Sequence, residues 1–399
     1  MSAPAPATYE LRQETRTLAA VLGEQERHRF MVGSMLLREE NEIHVVEYEE
    51  TTRSVNCVQV LNHPSEVWGI ACCPVNPRIL CTTFNTGTTY SAALWRTPAL
   101  ETGGAGEEKP AVGSTRSKPA PVDMEELARL PAVSHERVQR VVWHPAPEAE
   151  LPSEDTGVEG NRLAAAYTSS LHTFVVGDGA LKEEACIRPS EDEGALIALA
   201  WDPHHAVQCT STQGGHVVGF DLRTKCEIRR MRDAHRDCVR DVDYNPNRPW
   251  YLVSGGDDGA IRFWDLRRCD APVKEMHAHS HWLWSVRYNR CHDQLLVTSS
   301  SDCTAKLWRA SSVSSTKLFR ADEDDAERKD GDGEDEAREE LPDAVLQTCG
   351  MHSEAVYAAT WSAAEPWIFA TASYDGTVAV HQVAEEEKDH ILMDDKVQF

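Results

Sequence analysis

The sequence is short of positive charge. Lys and Arg number 40 against 65 Asp and Glu, a formal net charge of -25. Surfaces that hold a phosphate backbone or an anionic bilayer need clustered basic side chains. Nucleic acid is therefore not expected as a partner, and a membrane is expected to be met only through another protein. Long apolar runs are missing too. The stretch ALIALAW at residues 195–201 is among the longest, far short of a bilayer span. The opening MSAPAPATYELRQETR lacks the apolar core of a secretion signal. The 12 cysteines form no C-x-x-C pair, which argues against a zinc knuckle or a thioredoxin-like centre. They read as reduced cysteines of a cytosolic protein, many of them small core residues. No Gly-rich phosphate loop, G-x-S-x-G elbow or H-E-x-x-H helix is found. An enzyme is not expected, nor a cofactor or a metal.

What is present is a repeat. Three stretches begin at Ala234, Ala278 and Met351 and share their internal spacing. His235 precedes Asp258 by 23 residues, as His279 precedes Asp302 and His352 precedes Asp375. Four residues before each aspartate stand Ser254, Thr298 and Thr371; six after it stand Trp264, Trp308 and His381. The first two copies are 44 residues apart, and the third follows after 73, which is 44 plus an insertion of 29. Each copy reads as short alternating runs such as VRDVDY, YLVSGG and AIRFWD, divided by turn residues. A period near 44 with a WD dipeptide points to four-stranded propeller blades. The His, Ser/Thr, Asp and Trp positions look superficially like a catalytic set. A catalytic set occurs once, however, and this one recurs at fixed spacing. It is expected to be structural: the Asp in a tight turn accepts from the His ring, and the hydroxyl and indole extend a buried hydrogen-bond chain.

With that template, degenerate copies appear upstream at Leu196, Val138, Val67 and His28, so the expected fold is an all-β, seven-bladed WD-repeat propeller over residues 1–399. In the copy from Leu196, Phe220 replaces the Trp and Gly214 replaces the Asp; in the copy near Val67, His63 stands in the tetrad position. The opening strand of the first blade should lie within YELRQETRTLAAV. Either residues 7–14 or the terminal HILMDD should complete the last blade. Three segments, 97–126, 146–160 and 310–344, are rich in Gly, Pro, Ala or charge and read as flexible loops. The last contains Ala321–Glu340, with twelve acidic and three basic residues. It is either a solvated spacer or a docking segment for a basic partner.

Propellers bind mainly on the rim where the inner strands begin. Stepping back four residues from Cys72, Trp143, Trp201, Tyr244, Tyr288 and Trp361 selects Trp68, Gln139, Ile197, Arg240, Trp284 and Tyr357. Trp282 adds a further aromatic there. Trp, Tyr and Arg dominate interface hot spots, so this ring is the candidate partner-binding rim; the alternative is that its aromatics pack beneath a neighbouring loop. His277, His279 and His281 in HAHSH would share one side of an extended strand, yet His279 already belongs to a tetrad.

NEIHVVEYEE, HPSEVWGIACCP, HSHWLWSVRYNRCHDQLLVTSSSD and HSEAVYAATWSAAEPWIFATASYDG resemble the family of EARP- and GARP-complex-interacting WD-repeat proteins. The likeness runs from about Phe30 to Val383 and includes the acidic insertion. It implies a non-catalytic scaffold that associates with the tethering complexes of endosomes and the trans-Golgi network. Such a scaffold would support their recruitment, endosomal recycling and vesicle traffic, and would be cytoplasmic, peripheral to those membranes and monomeric by itself. The long loop after Thr97 departs from the family's usual length, and no partner-contact residue carries over. A second reading is a substrate receptor of a cullin-RING ubiquitin ligase, because Phe263-Trp264-Asp265-Leu266-Arg267 resembles a WDxR box and Phe220-Asp221-Leu222-Arg223 echoes it. WDLR is equally a common way for a blade strand to end. A histone-binding propeller is a third option, but its N-terminal helix is not evident.

Overall fold

Runs such as YLVSGG and LLVTSS carry apolar, hydroxyl-bearing or glycine residues and no charge at any position. This is the pattern of a strand covered on both faces. The computed structural model places them so. It describes residues 4–37, 40–99, 118–133, 135–145, 160–177, 180–190, 193–318 and 340–395. The described strands form seven sheets, antiparallel except for one strand added in parallel to the first blade. In the fifth blade the order from the centre outward is Val239–Tyr244, Tyr251–Gly256, Ala260–Asp265 and Lys274–His277. The second strands of the last three blades, Tyr251–Gly256, Leu295–Ser300 and Ile368–Ser373, are buried throughout. Outer strands such as Lys274–His277 alternate between half-buried and exposed.

The apolar core is not central. It is divided into clusters that each join one blade to the next. Val253, Ile261 and Phe263 of the fifth blade pack on Leu283, Val286 and Leu296 of the sixth. Leu18, Phe30 and Val46 of the first pack on Ile368, Ala370 and Val380 of the seventh. Each inner strand touches the inner strand of both neighbours, so the ring is complete. Closure leaves no blade without a partner face.

The closing strand is Ala7–Glu10. It pairs antiparallel with Thr377–Gln382, Ala7 opposite Val380 and Glu10 opposite Thr377. The other candidate, HILMDD, belongs instead to an α-helix, Glu385–Asp395. That helix buries Ile391 among Leu318 and Val383, and its Glu387 accepts two hydrogen bonds from the Arg309 guanidinium at 3.0 and 2.9 Å. The first blade opens with Thr15–Ala20, inside the expected segment.

Two of the expected loops need correction. Within 97–126, Pro121–Asp123 pairs in parallel with Ser54–His63 as a fifth strand on the first blade. The chain then returns as Glu125–Arg129, the outer strand of the second blade. This segment therefore straps two blades together. Asn62 donates to Asp123 at 2.8 Å across the added strand. Within 310–344, Ser311–Val313 is a 3-10 turn, Ala310 and Leu318 are buried, and Ala344 already begins the strand Ala344–Cys349. Residues 100–117, 146–159 and 319–339 of the expected loops lie outside the described residues.

Candidate functional site

The repeated polar set is a scaffold, and its distances show how it works. His235 meets Asp258 at 2.8 Å through Nδ1 and Ser254 at 2.8 Å through Nε2, and the Trp264 indole donates to Ser254 at 2.9 Å. The next blade repeats this with His279, Asp302, Thr298 and Trp308 at 2.9, 2.8 and 2.9 Å. Such chains leave no buried N–H or hydroxyl unpaired, which is the condition for a polar group inside a core.

The third set departs from the expectation. His352 meets Thr371 at 2.9 Å, and Thr371 meets His381 at 3.1 Å. Asp375 does not reach the ring, and Nδ1 of His352 has no partner. Asp375 is taken up elsewhere: the Ser353 hydroxyl and backbone N–H donate to one oxygen at 2.7 and 3.0 Å, and the Thr377 backbone N–H donates to the other at 2.8 Å; the Ser353 hydroxyl is the contact that the fifth and sixth blades lack. Burial pushes the His381 pKa down to about 3. A further set was foreseen only at His63. His63, Thr82 and Trp95 form the same chain at 3.0 and 2.8 Å, with the Ser65 carbonyl in place of the Asp. Thr82 to Trp95 spans 13 residues where Ser254 to Trp264 spans 10, so a fixed template misses it.

The rim positions have a common structural origin. In every blade the inner strand breaks register within its first two residues: Thr15/Thr17, Val67/Gly69, Val138/Arg140, Leu196/Leu199, Val239/Asp241, Leu283/Ser285 and Val356/Ala358. A β-bulge leaves its extra residue out of the ladder and re-aims the side chain. The bulged residues are Trp68, Gln139, Ile197 (with Ala198), Arg240, Trp284 and Tyr357, the six selected by spacing. The seventh is Arg16. The same four-residue step from Ala20 finds it, but Ala20 is neither aromatic nor Cys, so the signal was overlooked.

The structure gathers most of this ring into one arc. The Arg16 guanidinium lies over three rings from three other blades: Trp68 at 4.8 Å, Trp284 at 5.5 Å and Tyr357 at 4.4 Å. Arg240 lies over Trp284 at 4.8 Å and Trp282 at 5.4 Å, and it donates twice to Asp257 at 2.6 and 2.8 Å. Trp284 meets Trp282 edge-on at 6.0 Å and Tyr357 at 4.8 Å. Tyr90 extends the arc against Trp68 at 5.5 Å, and Tyr374 extends it against Tyr357 at 5.9 Å. Arg137 covers Tyr90 at 4.7 Å. Trp68 and Trp282 remain 36% and 44% exposed, so among the described residues these two are not sealed beneath a loop, whereas Trp284 and Tyr357 are half-buried. Gln139 is exposed and Ile197 half-buried, and neither joins the stacking.

Below the rim the inner strands carry charge. Asp241 accepts from Arg287 and faces Arg140 at 3.5 Å, and it also takes the Val286 N–H at 3.0 Å. Burial raises Asp243 to about 6. This set ties blades together around the axis.

Other candidates resolve differently. His279 is committed to its tetrad, His281 packs on Trp282 at 5.1 Å, and His277 is exposed near Glu275 at 3.9 Å. The strand ends at His277, so alternation does not carry through HAHSH. His172 lies near Glu183 and Cys186, but Nδ1 faces Glu183 at 3.2 Å while Nε2 faces Ser170 at 2.8 Å and Cys186 at 3.6 Å. The ring bridges those partners from opposite edges and does not converge with them on one point. All twelve cysteines are unpaired, and burial raises Cys72 and Cys349 to about 12, as befits core residues. In the WDxR-like run, Trp264 is buried in its tetrad and Arg267 donates twice to Asp265 at 2.8 and 2.6 Å. Among the described residues, no helix is long and apolar enough to cross a membrane.

The sequence is similar to known proteins along nearly its whole length. The family described as EIPR1 beta-propeller matches residues 3–308, and a WD domain, G-beta repeat, matches residues 344–382. An EARP-interacting protein homolog of Gekko japonicus is 33% identical over 98% of this chain and 100% of its own length. EARP and GARP complex-interacting protein 1 of Homo sapiens is 32% identical over the same shares. WD repeat-containing protein DWA2 of Arabidopsis thaliana is 31% identical over 94% of this chain and 95% of its own.

Proposed function

Because the chain belongs to the EIPR1 beta-propeller family, we propose that it is a non-catalytic interaction propeller that associates with the EARP and GARP complexes through its bulge-residue rim. The observation that carries this reading is end-to-end correspondence with relatives named for those complexes, over 98% of this chain and 100% of theirs. The rim supplies suitable chemistry: Trp, Tyr and Arg, partly exposed and spread over contiguous blades. On this reading the protein supports recruitment of the tethering complexes, endosomal recycling and vesicle traffic. It reaches trans-Golgi and endosomal membranes through its partners and is monomeric by itself. Closure of the ring by the chain's own Ala7–Glu10 favours a monomer, since no blade is left for a second copy to complete.

Affinity purification of the tagged chain with quantitative mass spectrometry tests the proposal. EARP or GARP subunits are the expected co-purifying proteins. Cullin adaptors without tethering subunits would overturn it in favour of a ligase receptor. Trp284→Ala combined with Arg240→Ala should weaken co-purification while the melting temperature changes little. Undiminished recovery of the complexes would reject the rim as the contact.

A further inference from the structure

The rim resembles an aromatic cage, the arrangement that binds quaternary ammonium groups. Here the cage is already filled by a cation from the same chain. Trp68, Trp284 and Tyr357 come from the second, sixth and seventh blades, and the Arg16 guanidinium from the first lies within 5.5 Å of all three centroids. An aromatic ring attracts a guanidinium through its charge and offers no carboxylate, carbonyl or hydroxyl oxygen to its N–H donors. Among the described residues, no carboxylate, carbonyl or hydroxyl takes a hydrogen bond from them. The neighbouring acids are engaged elsewhere. Glu14 accepts the Tyr374 hydroxyl at 2.7 Å, Glu66 accepts the Trp68 indole at 3.1 Å, and Asp257 is taken by Arg240.

From this we infer that Arg16 is the recognition point for one carboxylate on a partner protein: an extended segment that sets an Asp or Glu side chain against Arg16 and lays apolar side chains on Trp68 and Trp282. The inference rests on the rim reading above and names the chemistry that the rim selects. Three observations decide the occupant. The cage holds a cation, so a cationic or methylated lysine side chain is refused. Among the described residues, only one guanidinium of the central pair is without a carboxylate, because Arg240 is matched by Asp257; a single such cation suits a monoanionic carboxylate better than a phosphate dianion. The described strand ends that flank the chain's own acidic insertion, Arg309 and Ala344, are paired at the end of the sixth blade remote from Leu283 and the rim, and the inference commits to a segment of another protein as the occupant. Peptide binding that appears only once residues 319–339 are deleted would assign the site to the insertion instead and overturn it. Overall charge of -25 makes the protein a poor general acceptor of anions, so affinity must come from this short-range site.

The test selects random short peptides displayed on phage against the full chain. Enriched peptides should share an Asp or Glu beside apolar residues. The best is then synthesised in three forms: unchanged, with its acid replaced by the amide, and with its acid replaced by phosphoserine. The amide form should bind about tenfold to a hundredfold more weakly. Arg16→Gln should weaken the unchanged peptide by the same factor and leave the amide form nearly unaffected, so the two losses do not add. Arg16→Lys should fall between. Failure to enrich any peptide, enrichment without acids, additive losses or tighter binding of the phosphoserine form would each overturn the inference. Should Arg16→Gln lower the melting temperature, the carboxylate-to-amide comparison on the unaltered protein still decides. Coupled peptide losses without recovery of EARP or GARP subunits would defeat the proposed function alone. Recovery of the complexes with no coupling at Arg16 would defeat this inference alone.

Discussion

Asp258 and Asp375 occupy the same place in the fifth and seventh blades, yet only one touches its histidine. Replacing each by alanine should separate the tetrad contact from the turn. Both aspartates hold the same tight turn, through Ala260 N–H at 3.2 Å and Thr377 N–H at 2.8 Å, so that loss is common to the two variants. Asp258 in addition receives His235 at 2.8 Å and the Arg262 guanidinium at 2.7 Å. The His235 side chain is 0% exposed, so no water replaces the lost acceptor, and the other neighbour of its Nδ1, Arg262 Nη1 at 2.9 Å, is itself a donor. A buried polar group left without its partner costs about 1–3 kcal/mol. The donors that Asp375 loses, on Ser353, lie at the exposed edge and can turn to water. Asp258→Ala should therefore be less stable than Asp375→Ala by about 1–3 kcal/mol. Paired thermal melts at one scan rate, with denaturant titration as a check, measure the difference. Equal losses, or a larger loss at Asp375, would refute the claim that the histidine contact carries energy beyond the turn.

Acid should destabilise the protein well above the carboxylate range. Burial lowers His381 to about 3 and His63 to about 4, from 6.5 in an unfolded chain. The unfolded state then binds the protons first, so this contribution is complete above pH 6.5 and falls as pH drops towards 4, by about 3 kcal/mol for each histidine, offset in part by Asp243, whose raised value of about 6 makes the folded state bind its proton first. Melting temperatures that stay flat from neutral to about pH 4.5 would contradict this, and His381→Phe, which can still stack on Phe369, should reduce the slope. Deleting residues 1–10 should lower the melting temperature and promote concentration-dependent aggregation, because it bares the edge of Thr377–Gln382. Unchanged melting and monodispersity by light scattering would show that the ring does not need this strand. Tyr9→Phe isolates one part of the closure, the 2.7 Å bond to His44, and should cost about 1 kcal/mol in the same melts.

The rim was read from a spacing rule, and six of its seven positions were found because each inner strand ends in a bulky or sulfur-bearing residue. Arg16 escaped because its strand ends in Ala20, yet it is the residue on which three aromatic rings converge. Thr82 and Trp95 escaped because three extra residues lengthen one turn. The strand Glu125–Arg129 escaped because it follows a polar segment and is half-exposed, so it carries little alternation of its own.

By itself, the sequence determines the repeat. A buried His–Ser–Asp–Trp chain needs particular donors and acceptors at offsets set by strand length and turn type, and those offsets are local and visible in any one copy. Which residues meet across blades was decided only by the tertiary structure. Ala7 finds Val380, Arg16 finds Tyr357, and Asp375 prefers Ser353 to His352. The first two contacts depend on the ring closing, which brings chain ends together without any local period. The third depends on which of two nearby donors reaches a carboxylate first, a matter of position that spacing does not encode.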